Sequence, residues 1–162
     1  MSETTMNLKG FSVLLKDTGA SQISFFVIKE LNKLAETNPE IDATIFYENV
    51  HKNCIPVNFA TMQISECYTQ DGPAIATSFS TAKKLRNFYC GKKLFYVWDL
   101  HWIRNNVIKK YEDYADTYCD ESIELIARSE SHRQAIQTAF NREVKHVIPD
   151  FKMSEILEAL YE

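Results

Sequence analysis

The chain has 162 residues, 45% of them hydrophobic, and a formal charge of −4. That length supports one domain with a single core and is short for two α/β domains of ordinary size. The acidic balance gives no general attraction for nucleic acid, and no apolar run approaches the roughly 20 residues that span a bilayer. A cytoplasmic protein without a membrane span is expected, because "MSETTMNLKG" also lacks the charged-then-apolar layout of a signal peptide.

Residues 1–8 read as a flexible N-terminus and 9–162 as a single domain. "FSVLL", Phe11 to Leu15, is short, apolar and bounded by turn residues, the pattern of a buried strand. From Ala20 the period changes. Ile23, Phe26, Val27, Leu31 and Leu34 fall three and four apart, and Asn38-Pro39 stops the run, so this is a helix. "ATIFY", Ala43 to Tyr47, is a second strand. Strand, helix, strand in this order implies a βαβ crossover and a parallel sheet.

"FATMQI", Phe59 to Ile64, is a weak third strand, "TQDG" a turn, and "PAIATS", Pro73 to Ser78, a short strand before the helical "STAKKLRNF". The most apolar strand, in "KKLFYVWDLHW", runs to Trp98. A helix from Trp102 to Tyr118 follows, then a strand "SIELIARS", Ser122 to Ser129, in which Ser129 is the N-cap of a further helix. "VKHVIPDF" gives a last strand broken by Pro149, and a helix over Ser154 to Leu160 follows. End-to-end alternation predicts an α/β fold with an open, mainly parallel sheet, helices on both faces, and "FSVLL", "LFYVW" and "ELIA" near its middle.

In such sheets ligands collect at the carboxyl ends of the strands, so the residues just after each strand are the site candidates. Asp99 and His101 follow "LFYVW", where either can take a proton from a hydroxyl or orient it. The alternative is that Asp99 caps the next helix and His101 is a surface residue. Trp98 and Trp102 flank the pair and either stack on a ligand or belong to the core. Asp17, Thr18, Gly19 and Ser21 form either a binding loop, with Gly19 permitting close approach or positive φ, or a plain turn. Ser78, Arg128, Ser129 and Glu130 complete the edge. Ser129 is explained by capping alone, and Arg128 suits a phosphate.

Five bases without an intervening acid, Lys83, Lys84, Arg86, Lys92 and Lys93, are the one local patch suited to a polyanion, and a solvated helix face with a strand entry is the favoured explanation of them. Cys54, Cys67, Cys90 and Cys119 lack C-x-x-C or zinc spacing and read as free thiols. The sequence carries no P-loop, G-x-S-x-G elbow or metal motif, so no cofactor is implied.

"LIARSESHRQAIQTAFNREVKHVIPDF", Leu125 to Phe151, resembles the segment closing the N-terminal domain of two-domain GT-B glycosyltransferases. Val147, Ile148 and Pro149 match the family's "V-I-P-N-G" strand, and Asp150 and Phe151 stand where it has Asn-Gly. "VLLKDTGASQISFFVIKELNKLAE" looks like the family's first βα unit, with Gly19-Ala20 in place of two adjacent glycines. "IATS" and "FYVWDLHW" resemble its middle strands, which line the acceptor side of the cleft. The resemblance implies a Rossmann-like, acceptor-side domain for a sugar or nucleotide-sugar ligand. The family's donor-holding domain, with its E-x7-E-like motif, is not expected within this chain, so a donor-domain subunit would be the implied partner. The alternative is a non-catalytic Rossmann-like binding or interaction module.

Overall fold

A computed structural model describes residues 9–104 and 108–162, leaving aside the side chains of residues 9 and 104–110. The terminus expected to be flexible over 1–8 lies outside the described residues. The strands are β1 (Lys9–Leu15), β2 (Ile41–Tyr47), β3 (Ala60–Gln63), β4 (Ala74–Ala76), β5 (Lys93–Val97), β6 (Ile123–Ala127) and β7 (His146–Val147). They form one sheet in the order β3-β2-β1-β4-β5-β6-β7, and every neighbouring pair is parallel. This is an open, Rossmann-like α/β sheet. Its order reverses at β1, where the chain leaves for β2 on one side and returns as β4 on the other.

The helices are α1 (Gln22–Thr37), α2 (Phe79–Leu85), α3 (His101–Arg104), α4 (Ile108–Tyr118), α5 (Glu130–Phe140) and α6 (Met153–Tyr161). They cover both faces. α1 lays Val27, Ile28, Leu31 and Leu34 against Val13, Leu15, Ile45, Ile75 and Leu94, and α6 adds Ile156, Ala159 and Leu160 to the same cluster. The opposite face packs Leu14, Phe46, Ala76, Phe95, Val97 and Leu125 under Leu85 of α2, Tyr114 and Tyr118 of α4, and Ile136 and Phe140 of α5. Each fully buried side chain of this size contributes about 1.5–3 kcal/mol, so the two-sided burial of β1, β4, β5 and β6 dominates stability.

Sequence and structure differ where local pattern competes with packing. The centre of the sheet is β4, three residues long, with β1 and β5 flanking it and β6 next to the edge strand β7. The strand expected over 144–151 shrinks to two residues because Pro149 has no N–H to donate, although Ile148 N–H still donates to Ala127 O at 2.8 Å. Asp150 and Phe151 then take left-handed φ of 51° and 54°. Buried Tyr96 holds this turn, donating to Ile148 O and accepting from Phe151 N–H at 3.1 Å, and Phe151 is itself buried. The helix expected over 102–118 starts at His101 and is described as α3 and α4, with residues 105–107 outside the described set. A 3₁₀ turn over Ile64–Thr69, absent from the sequence reading, precedes β4.

At the opposite sheet edge a Cβ on Gly72 would lie 2.7 Å from Gly10 O, backbone against backbone, so only glycine fits there. No helix of the described residues is long and apolar enough to cross a membrane.

Candidate functional site

A cleft of about 610 Å³ opens at the carboxyl ends of β1, β4, β5 and β6, beside the point where strand order reverses. Leu15, Lys16 and Asp17 reach it from β1, Ser21 to Ser24 from the start of α1, and Thr77, Ser78 and Phe79 from the β4–α2 junction. Trp98, Asp99 and His101 come from the end of β5, and Arg128 and His132 from β6 and α5. The fold therefore gathers Asp17, Ser21, Ser78, Asp99, His101 and Arg128, all named from sequence as strand-end candidates, onto one wall.

Asp99 and His101 stand side by side in the cleft. His101 Nδ1 stands 3.3 Å from Asp99 Oδ2, and both side chains are about one-third exposed, at 38% and 32%. A carboxylate facing Nδ1 favours the proton there and leaves Nε2 as the imidazole's acceptor.

Arg128 lies over Trp98, its guanidinium carbon 4.4 Å from the ring centroid. Trp98 is wedged against Phe26 at 5.6 Å and Tyr96 at 6.4 Å, so the stacking surface is fixed. His132 Nδ1 is enclosed and has no hydrogen-bond partner among the described residues. Burial and then the Arg128 charge hold the His132 pKa below its ordinary value, against a hydrogen bond with the Val97 backbone that favours the cation.

Five candidates lie outside the cleft wall. Thr18 is buried, donating to Asn53 Oδ1 at 2.6 Å while its carbonyl accepts from Cys54 N–H at 2.9 Å. Gly19 N–H donates to Asp17 Oδ1 and Gly19 O accepts from Ser21 N–H, each at 2.9 Å. No glycine among the described residues has positive φ; a Cβ at Gly19 would sit 3.0 Å from Asp17 Oδ1 and 3.2 Å from His51 Cβ, so close approach of its own neighbours selects glycine. Trp102 turns into the second core, 4.8 Å from both Tyr118 and Phe140. Ser129 caps α5 through His132 N–H at 3.3 Å, and Glu130 is exposed beside Arg133. Sequence reasoning missed Lys16, Gln22, Ile23, Ser24 and Phe79 in the wall; the N-cap Ser21, which caps Ser24 N–H at 3.2 Å, was the signal that α1 opens there.

Two other chemistries find their groups already engaged. Glu48, at the end of β2 where dinucleotide folds hold a ribose, pairs with Lys84 Nζ at 3.0 Å and accepts from Ser80 Oγ at 2.9 Å. The basic run is engaged from within: Lys83 meets Asp113 at 3.1 Å, Arg86 meets Asp120 at 3.0 Å, Lys92 meets Glu124 at 3.5 Å, and Lys93 donates to the carbonyl Arg86 O at 3.0 Å. Among the described residues no three His, Cys, Asp or Glu side chains are grouped to hold a metal ion.

The fold and site define a Rossmann-like domain with a polar strand-end cleft. No protein-family model, curated protein or solved structure matches the chain.

Proposed function

We propose that this domain is the acceptor-side half of a GT-B-type glycosyltransferase acting in the cytoplasm, with the donor half supplied by a partner subunit or domain. The observation that carries the reading is the Asp99–His101 pair in a cleft at the strand-order reversal. In the reaction, Asp99 keeps the proton on Nδ1 and Nε2 takes the proton of the acceptor hydroxyl. That oxygen attacks the donor's anomeric carbon as the bond to the nucleotide phosphate breaks. Ser78 and Asp17 line the same wall and suit hydrogen bonding to neighbouring hydroxyls. The left-handed pair at Asp150 and Phe151 supports the resemblance, since Asn-Gly takes that backbone shape readily.

A non-catalytic binding module is the second reading. It is favoured by the scarcity of cations in the cleft, where among the described residues Lys16, Arg128 and the two histidines are the basic side chains to meet a donor diphosphate.

Calorimetric titration of the purified chain with mono- and disaccharides, and with UDP- and GDP-sugars, tests the assignment. Saccharides are expected to bind, and nucleotide sugars to give no heat at micromolar ligand. Tight binding of a nucleotide sugar by the isolated chain would overturn the acceptor-side assignment.

A further inference from the structure

Arg128 stands apart from the other arginines whose side chains the structure describes. Arg86 pairs with Asp120 at 3.0 Å, Arg133 with Glu130 at 3.8 Å, and Arg142 donates to the backbone carbonyls of Tyr118, Asp120 and Ile123. Arg128 has no carboxylate or carbonyl acceptor among the described residues, and its guanidinium lies over the Trp98 ring at 4.4 Å. A guanidinium remains charged at any working pH and carries five donors in a rigid plane. Stacking on Trp98, itself fixed by Phe26 and Tyr96, sets that plane and uses none of the donors. The side chain is only partly exposed and lines the same cleft as Asp99 and His101. A preset planar fork with unused donors, in a ligand-sized cleft, matches the geometry of a carboxylate or phosphate.

We propose that Arg128 makes the cleft specific for a ligand bearing an oxyanion, a carboxylate or a phosphate, beside the hydroxyl that faces Asp99 and His101. This rests on the acceptor-site reading and narrows it to anionic acceptors. Lys16, in the same wall, adds positive charge without bidentate geometry. The oxyanion would also offset the Arg128 charge that bears on His132.

The test is titration of the full chain, at low ionic strength, with glucuronate, glucose and inorganic phosphate, using wild type, Arg128→Gln and Arg128→Lys. Glucuronate is expected to bind wild type on the order of tenfold or more tighter than glucose, the scale of one charge-assisted fork. Arg128→Gln should erase that preference, and Arg128→Lys should restore only part of it, because lysine keeps the charge and loses the fork. Equal affinity for glucuronate and glucose overturns the proposal and leaves the acceptor reading standing. Phosphate binding that depends on Arg128, with neither sugar bound, supports the fork and sinks the acceptor reading. Binding of none of the three overturns both. If Arg128→Gln does not fold, wild-type His132 gives the readout by NMR: glucuronate should raise its titration midpoint and glucose should leave it unchanged, whereas no response to glucuronate overturns the proposal.

Discussion

Loops at the same sheet edge differ in how much of their polar sequence reaches the cleft. The β1–α1 loop carries Asp17, Thr18, Gly19 and Ser21, as polar and small as any binding loop, yet Thr18 and Gly19 serve their own turn and the segment after β2. The loops after β5 and β6 present Asp99, His101 and Arg128 to the cleft. What separates them is a long-range clamp. Residues 49–54 fold back over the first loop, with Asn49 N–H on Lys16 O and Cys54 N–H on Thr18 O, both at 2.9 Å. A polar strand-end residue is available to a ligand only where no distant segment has already claimed it.

The largest effect is expected in the cleft. His101→Ala in the complex reconstituted with a donor half should lower transfer by about 10²–10⁴-fold, the usual contribution of a general base, with little change in melting temperature. Asp99→Asn should lower it through the imidazole's tautomer and not through stability. Unaltered turnover in both variants would remove the pair from the chemistry.

Next comes the clamped loop. Gly19→Ala forces a Cβ against His51 and Asp17 and is expected to cost about 1–3 kcal/mol, read from urea unfolding, while cleft affinity for saccharides stays as in wild type. A loss of affinity at unchanged stability would add Gly19 to the binding site.

Ser129→Ala should cost about 1 kcal/mol, the loss of an N-cap, without touching binding. Ser78→Ala also removes a cap, since Ser78 Oγ accepts from Thr81 N–H at 3.2 Å, but it lies in the cleft wall and should weaken binding as well. Equal binding by the two variants would erase the distinction between the two serines.

The smallest effect is in pH. His132 has a folded-state pKa below its ordinary 6.5, from burial first and Arg128 second. The unfolded chain therefore takes up the proton first as pH falls. The neutral imidazole's contribution is complete above about pH 6.5 and declines as pH drops toward the lowered folded value. Denaturation at a series of pH values should show this decline in wild type and not in His132→Asn.

Much of the frame is legible in sequence because it depends on local period. The apolar runs of β1, β2, β5 and β6 and the three-and-four spacing in α1 locate those elements directly. β4 is found as a strand, but its central place is not, because order across a sheet is a property of crossovers. In the site, Asp99, His101, Ser78 and Arg128 follow from the rule that ligands meet strand carboxyl ends. The role of Trp98 as the bed for Arg128 does not follow, since the two are thirty positions apart and meet only because β5 pairs with β6. Trp102 misleads for a related reason: α3 begins at His101, and the helix turn carries the indole toward Tyr118 and Phe140. Thr18 likewise looks open until the segment holding Asn53 is placed above it.

The most direct test of the cleft as the working site is an NMR shift map of the isotope-labelled chain titrated with the tightest-binding saccharide. The perturbed amides and side chains should be those of Ser78, Asp99, His101 and Arg128, with Thr18 and Gly19 quiet. Perturbation centred instead on the separate groove between α1 and α6, at Lys29, Lys33 and Met153, would contradict the account.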